Sequence, residues 1–194
     1  MNRSATLTRK TTETEIELEL SLDGTGSYAI ETGLGFFDHM VSHIAKHGCL
    51  DLQLKAKGDL HVDEHHLVED VGICLGQAIR EALGEKRGIE RFGTAFITMD
   101  EALARTTIDL SGRSYLVFRA EFSRETINGF PLEMVREFFQ AIANEGKMNL
   151  HISLLYGSNA HHQVEAIYKS FGRALRTAVR VTGGSAIPST KGAL

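Results

Sequence analysis

The residues of this chain best suited to chemistry are His65-His66-Leu67-Val68-Glu69 and His161-His162-Gln163-Val164-Glu165. On a helix, residues four apart lie one above the other and residues three apart lie on adjacent lines. Each pentapeptide would therefore gather two imidazoles and a carboxylate near its first turn. Imidazole and carboxylate without thiolate suit Mn, Fe, Zn, Co or Ni. One such pentapeptide alone is weak support for a metal site. Two at matching places are strong support, because a plain surface helix would have to present six metal-type residues in register by accident.

The match extends beyond the ligands. Between residues 65–80 and 161–176, seven of sixteen positions are identical, including the Gly76/Gly172, Ala78/Ala174 and Arg80/Arg176 pairs. About one identity would arise by chance at ordinary composition. This is an internal duplication. Upstream, Lys46-His47-Gly48 before Asp51-Leu52-Gln53-Leu54 parallels Asn144-Glu145-Gly146 before Asn149-Leu150-His151-Ile152, and Gly26-Ser27-Tyr28 parallels Arg113-Ser114-Tyr115. The chain thus divides into halves, 1–92 and 93–194. No Pro- or Ser-rich linker separates them, so they are expected to pack as one unit.

His39, His43 and His47 recur at every fourth residue of an expected helix. That spacing permits metal binding and equally describes a solvated polar face. His39 differs from its neighbours because the repeat carries it onto Glu137, so the duplication nominates four ligands from each half: His39, His65, His66 and Glu69, with Glu137, His161, His162 and Glu165. His61 is read as a loop residue and His151 as a packed or supporting group. Lys169 lies four residues beyond Glu165, where the first half has Ile73. A cation beside the metal in one copy only fits an asymmetric, anionic substrate; a solvated helix lysine is the alternative. The tail, residues 182–192, is rich in Gly, Ser and Lys and could wrap a phosphate, although most such tails only fray.

These residues need elements to carry them. Ile16 to Leu20 alternates as a half-buried strand does, Asp23-Gly24 marks a turn, and Ser27 to Ile30 reads as a second strand. Asp38 is placed to cap a helix that runs to His47 with Gly48 as its stop. A strand follows at Asp51 to Lys57, then a helix from His65 to Leu83 closed by Gly84. The second half repeats strand, strand, helix (Leu132 to Asn144), strand (Asn149 to Leu154) and helix (His161 to Val181). The expected class is α+β, two similar halves, each an antiparallel sheet with helices on one face.

The bulk properties are ordinary for a soluble globular protein. The chain has 194 residues, 42% hydrophobic and 24% charged, with a net charge of −4. Nothing in that balance draws it to nucleic acid or an anionic membrane. The N-terminus is polar, no apolar run approaches the ~20 residues of a membrane span, and Cys49 and Cys74 form neither a disulfide framework nor a thiolate site. A cytoplasmic setting is expected.

Taken together, Phe37-Asp38-His39-Met40, Asp63-Glu64-His65-His66 with Glu69-Asp70, Asp109-Leu110-Ser111-Gly112-Arg113, His161-His162 with Glu165-Ala166, and Pro188-Ser189-Thr190-Lys191-Gly192 resemble the imidazoleglycerol-phosphate dehydratase family over essentially the whole chain. The resemblance implies a ribosomal protein S5 domain 2-like fold for each half and a 24-subunit assembly. It also implies two Mn2+ ions per active site, held by His39, His65, His66, Glu69, His161, His162 and Glu165, with ligands drawn from neighbouring subunits. Many members have His where this chain has Glu137, which as a carboxylate can also bind Mn2+. The family's Arg-x-Thr-x-Glu-Thr pattern falls on Arg9-Lys10-Thr11-Thr12-Glu13-Thr14 and nominates Glu13 as acid/base. Arg91, Arg113, Lys169, Ser189 and Lys191 match its phosphate-binding groups. The implied reaction converts imidazole glycerol phosphate to imidazole acetol phosphate in histidine biosynthesis. Two rival readings use the same ligands: a metal-dependent phosphoester hydrolase, and a metal-binding assembly without catalysis.

Overall fold

The computed structural model describes residues 3–194. In the first half, β1 (Ser4–Lys10), β2 (Thr14–Ser21), β3 (Tyr28–Glu31) and β4 (Asp51–Gly58) form a sheet in the order β1-β2-β4-β3. Helix α1 (Gly35–Gly48) links β3 to β4, and α2 (His65–Leu83) follows β4. In the second half, β5 (Phe92–Met99), β6 (Ala102–Asp109), β7 (Tyr115–Arg119) and β10 (Asn149–Tyr156) repeat that arrangement in the order β5-β6-β10-β7. Helix α3 (Met134–Glu145) precedes β10 and α4 (Ala160–Ala178) follows it. A small hairpin of β8 (Thr126–Ile127) and β9 (Phe130–Pro131) is inserted before α3 and has no counterpart among the described residues of the first half.

The duplication read from the helices is thus a duplication of topology. Three strands of each sheet are antiparallel, as expected. The fourth is not: β3 pairs with β4, and β7 with β10, in parallel. The reason is the connection. A strand that returns through a helix to a neighbouring position arrives in the same direction, whereas only a tight hairpin reverses it.

Alternation drives the strands. Along β2, Ile16, Leu18 and Leu20 are buried while Glu15, Glu17 and Glu19 face water. The outward glutamates oppose lysines on β4, Glu15 with Lys57 and Glu17 with Lys55, favourable cross-strand pairs. Strand β1 was not anticipated; only its alternate residues Ala5, Leu7 and Arg9 are half-buried, the weak pattern of an edge strand. Helix α2 starts and stops where its residues predict. Helix α1 begins earlier, at Gly35, and Asp38 bonds back to the Thr32 amide and hydroxyl from the first turn instead of capping it. Its left-handed stop is Cys49, at φ 52°, one residue after Gly48.

Each sheet carries its helices on one face, and the helical faces of the two halves meet: α1 packs on α4 and α2 on α3. A single apolar cluster, including Ile16, Phe37, Leu75, Phe138, Leu150 and Phe171, runs through both halves. Repeat-related glycines permit the close crossings. A Cβ at Gly172 would lie 2.8 Å from the Ile44 carbonyl of α1, and one at Gly76 would lie 2.9 Å from the Ile142 carbonyl of α3. Among the described residues, no helix is long and apolar enough to cross a membrane.

Candidate functional site

The two His-His-x-x-Glu segments open α2 and α4, and an Asp or Asn side chain two residues before the first histidine accepts from its amide. The Asn159 side chain accepts from the His161 amide at 2.9 Å and the His162 amide at 3.4 Å. Asp63 accepts from the His65 amide at 2.9 Å. Such caps satisfy the free amides of a first turn, and here they also orient the histidines.

The first part of helix α1 lies against that first turn of α4, so His39 from one half meets His161 and Glu165 from the other. Glu165 Oε2 lies 3.1 Å from His161 Nε2 and 3.4 Å from His39 Nε2. His43 completes the group, with Nε2 at 3.5 Å from Glu165 Oε1 and 3.3 Å from His39 Nε2. One ligand atom each from His39, His43 and Glu165 falls within a mutual distance of 4.8 Å, compact enough for one cation. Lys169 pairs with Glu165 from one turn further along α4. Burial drives the His43 imidazole down to about 4, which leaves it neutral with a free lone pair. Burial works to raise Glu165, but the Lys169 hydrogen bond, the Lys169 charge and the His161 hydrogen bond work against it, and the carboxyl is held down at about 2. A neutral imidazole and an ionised carboxylate are the forms a metal requires. The donor set fits a hard or borderline divalent ion.

The first half builds a looser version. His65 Nε2 lies 4.0 Å from Glu69 Oε2. Helix α3 packs on α2 as α1 does on α4, but Glu137 does not join its neighbours as His39 does; its Oε1 accepts from Arg136 Nη1 at 2.9 Å.

The second histidine of each pair turns aside. The ring of His162 stands 83° from that of His161, and His66 stands 83° from His65. His162 Nδ1 meets Glu101 Oε2 at 2.7 Å, and His66 Nδ1 meets Asp59 Oδ2 at 3.1 Å. Each carboxylate raises the pKa of its histidine through that hydrogen bond. A carboxylate on one ring nitrogen is the usual support of a metal-binding histidine, since it orients the ring and leaves the other nitrogen to the metal. Glu13 belongs here as well: at the β1–β2 turn, its Oε2 lies 3.8 Å from His66 Nδ1.

The family model for imidazoleglycerol-phosphate dehydratase matches residues 32–175.

The chain belongs to the imidazoleglycerol-phosphate dehydratase family.

It is 54% identical to the imidazoleglycerol-phosphate dehydratase of Hydrogenovibrio crunogenus, over 99% of this chain and 100% of the relative. It is 56% identical to that of Chlorobium phaeovibrioides, over 98% of this chain and 94% of the relative. The crystal structure of the Staphylococcus aureus protein of that name superimposes with a TM-score of 0.83 at 39% identity, covering 92% of this chain and 99% of that one. The Pyrococcus furiosus protein superimposes with a TM-score of 0.85 at 37% identity, covering 97% and 100%.

The residues that match the dehydratase family's phosphate-binding groups do not lie together. Lys169 is in the His39–Glu165 cluster. Arg91 sits at the far end of α4, where its amide donates to the Ala178 carbonyl. Its guanidinium bonds Asp109 through Nε at 2.7 Å and the Pro188 carbonyl through Nη1 at 2.7 Å, so it fastens the tail. Ser189 and Lys191 lie on that tail, which pairs with the segment linking the halves through an Ile89–Val181 bridge. The tail is therefore tied down rather than frayed. Arg113 is exposed near the end of β6, beside Gly112, whose Cβ position would touch Leu194. From Glu165 to Ala178 is about 20 Å along α4, at about 1.5 Å per residue.

Two positions were misjudged from sequence alone. His43 was weighed as a solvated face and is instead mostly buried against Glu165; its spacing of four from His39 was the available signal. His151, read as a packed or supporting group, is exposed on β10 and so is not packed.

Proposed function

We propose that this chain is a metal-dependent imidazoleglycerol-phosphate dehydratase that converts D-erythro-imidazole glycerol phosphate to imidazole acetol phosphate in histidine biosynthesis, in the cytoplasm. The single observation behind the metal site is the meeting of His39, His43, His161 and Glu165, drawn from opposite halves of the chain. His39, His161 and Glu165 would hold one Mn2+, with His43 beside them; His65 and Glu69 would contribute to a second, to which Glu137 could add its carboxylate only by leaving Arg136. His66 and His162 face away from these groups, and each would complete the set of a neighbouring subunit. Mn2+ bound in this way supplies Lewis acidity toward the substrate's imidazole ring.

The remaining work falls to the protein's own groups. Lys169 neutralises an anionic substrate beside the first set. Glu13, within reach of His66, takes the proton from the carbon adjacent to the one that loses its hydroxyl and delivers a proton to the ring-side carbon of the resulting enol, whose O–H proton leaves with the hydroxide as water. Arg113, Ser189 and Lys191 grip the phosphate, with Arg91 holding the tail in place, and so orient the ring. Because about 20 Å of α4 separates Arg91 and the tail from Glu165, one chain cannot offer a small substrate both groups. That separation supports a site shared between subunits and a closed assembly, for which 24 copies is the family expectation.

The test is turnover of imidazole glycerol phosphate by Mn2+-loaded protein, following ketone product and inorganic phosphate together. Ketone without phosphate release supports dehydration. Phosphate release favours the hydrolase, and bound metal without turnover favours a non-catalytic assembly.

A further inference from the structure

The β1–β2 turn that carries Glu13 is tied to α2 by a run of hydrogen bonds through a buried carboxylate. Asp70, 6% exposed, directly follows Glu69. Its Oδ2 accepts from Thr14 Oγ1 at 2.5 Å, and its Oδ1 meets Arg9 Nη2 at 2.9 Å. Thr14 Oγ1 lies 3.2 Å from Thr11 Oγ1, and Thr11 Oγ1 in turn accepts the amides of Glu13 at 3.1 Å and Thr14 at 2.9 Å. The Glu13 carbonyl accepts from the Asp59 amide at 3.1 Å, and Asp59 is the carboxylate on His66. The backbone of Glu13 is thereby held at both its N–H and its C=O, and only its side chain is free to face His66.

This arrangement is confined to one half. Asp70 aligns with Ala166 in the repeat. The second-half hairpin turns through only Asp100 and Glu101, between the paired Met99 and Ala102, whereas four residues lie between the paired Lys10 and Glu15 in the first half. The same fold therefore stands without the network, which argues against a purely structural need. A buried ion pair is also an inefficient stabiliser compared with apolar packing.

We propose that Asp70 is a positioning residue which, through Thr14 and Thr11, sets the Glu13 carboxylate against His66 for proton transfer. The proposal rests on the dehydratase reading and deepens it. Asp70, Thr14 and Thr11 touch no substrate; they act through Glu13.

The test is a double-mutant cycle on the full-length, Mn2+-loaded protein. Thr14→Val is expected to lower kcat by about 10- to 100-fold with KM little changed, and Thr14→Ser to restore most of it. In a Glu13→Gln background, Thr14→Val should produce no further loss, because the group it positions is already gone. An equal fold-loss in both backgrounds, or a rise in KM alone, overturns the proposal. Thr11→Val, which removes the acceptor of the Glu13 amide without baring a buried carboxylate, goes through the same cycle and decides the matter if Thr14→Val does not fold. A wild type that binds Mn2+ but never dehydrates the substrate overturns the functional reading and this proposal together. A wild type that turns over while Glu13→Gln is fully active overturns the proposal alone.

Discussion

Glu165 holds together groups that would otherwise stay apart. It is a buried carboxylate shared by His39, His43, His161 and Lys169. Replacing it with Gln removes the only anion in that cluster. We expect Glu165→Gln to weaken Mn2+ binding by at least about 10-fold, read by elemental analysis after dialysis against graded chelator; unchanged affinity would remove Glu165 from the ligand set. Lys169→Ala should act differently, raising KM for substrate while metal content stays intact. A third side chain makes a prediction about stability. Tyr168 is fully buried against Phe138 and Phe139, and its hydroxyl has no hydrogen-bond partner among the described residues. An unsatisfied buried hydroxyl costs about 1–3 kcal/mol. Tyr168→Phe keeps the ring and should stabilise the fold by about 1 kcal/mol, seen as a higher Tm at fixed protein concentration. A fall in Tm would mean that the hydroxyl has a partner in the assembly.

The helices do more than present ligands, because their crossings decide which ligands meet. Gly76 and Gly172 are equivalent in the repeat and occupy equivalent crossings, α2 on α3 and α4 on α1. In an exposed helix, Gly→Ala would gain up to about 1 kcal/mol of helix propensity. Here each new methyl group would meet a backbone carbonyl that cannot turn away, and overpacking of this kind costs about 1–3 kcal/mol. The clash should win at both sites. Gly76→Ala and Gly172→Ala are each expected to destabilise in urea unfolding. Gly172→Ala should also loosen Mn2+ binding, since it pushes the helix bearing His39 from the one bearing Glu165. Strand direction belongs to the same level. The strand–helix–strand order of each half was visible in the sequence, and the crossover it requires makes β3–β4 and β7–β10 parallel; the expectation of a wholly antiparallel sheet overlooked that consequence.

Within one chain the metal-type residues and the tail that would bind phosphate occupy opposite ends of α4. If neighbouring subunits combine them, a variant lacking one set can be rescued by a variant lacking the other. Glu165→Gln and Arg113→Ala should each be nearly inactive alone. Dissociated, mixed and reassembled, they should recover a measurable fraction of activity, because some sites then draw an intact metal set from one chain and an intact phosphate grip from another. No recovery after confirmed mixing of subunits would place the whole site in a single chain.

The duplication, the helices that open on His-His-x-x-Glu and the α+β class could all be read along the chain. Their signals are local: side chains four apart on a helix, alternation along a strand, and identity at a fixed offset. The partners across the fold could not be read in this way. That Asp70 takes Thr14 and Arg9, that Glu101 and Asp59 orient His162 and His66, and that His43 is buried rather than solvated all depend on which helix crosses which hairpin, and at what distance. Those contacts join residues as much as 122 positions apart, as with His43 and Glu165. No periodicity in either segment encodes them; they follow from the packing of two halves around one core.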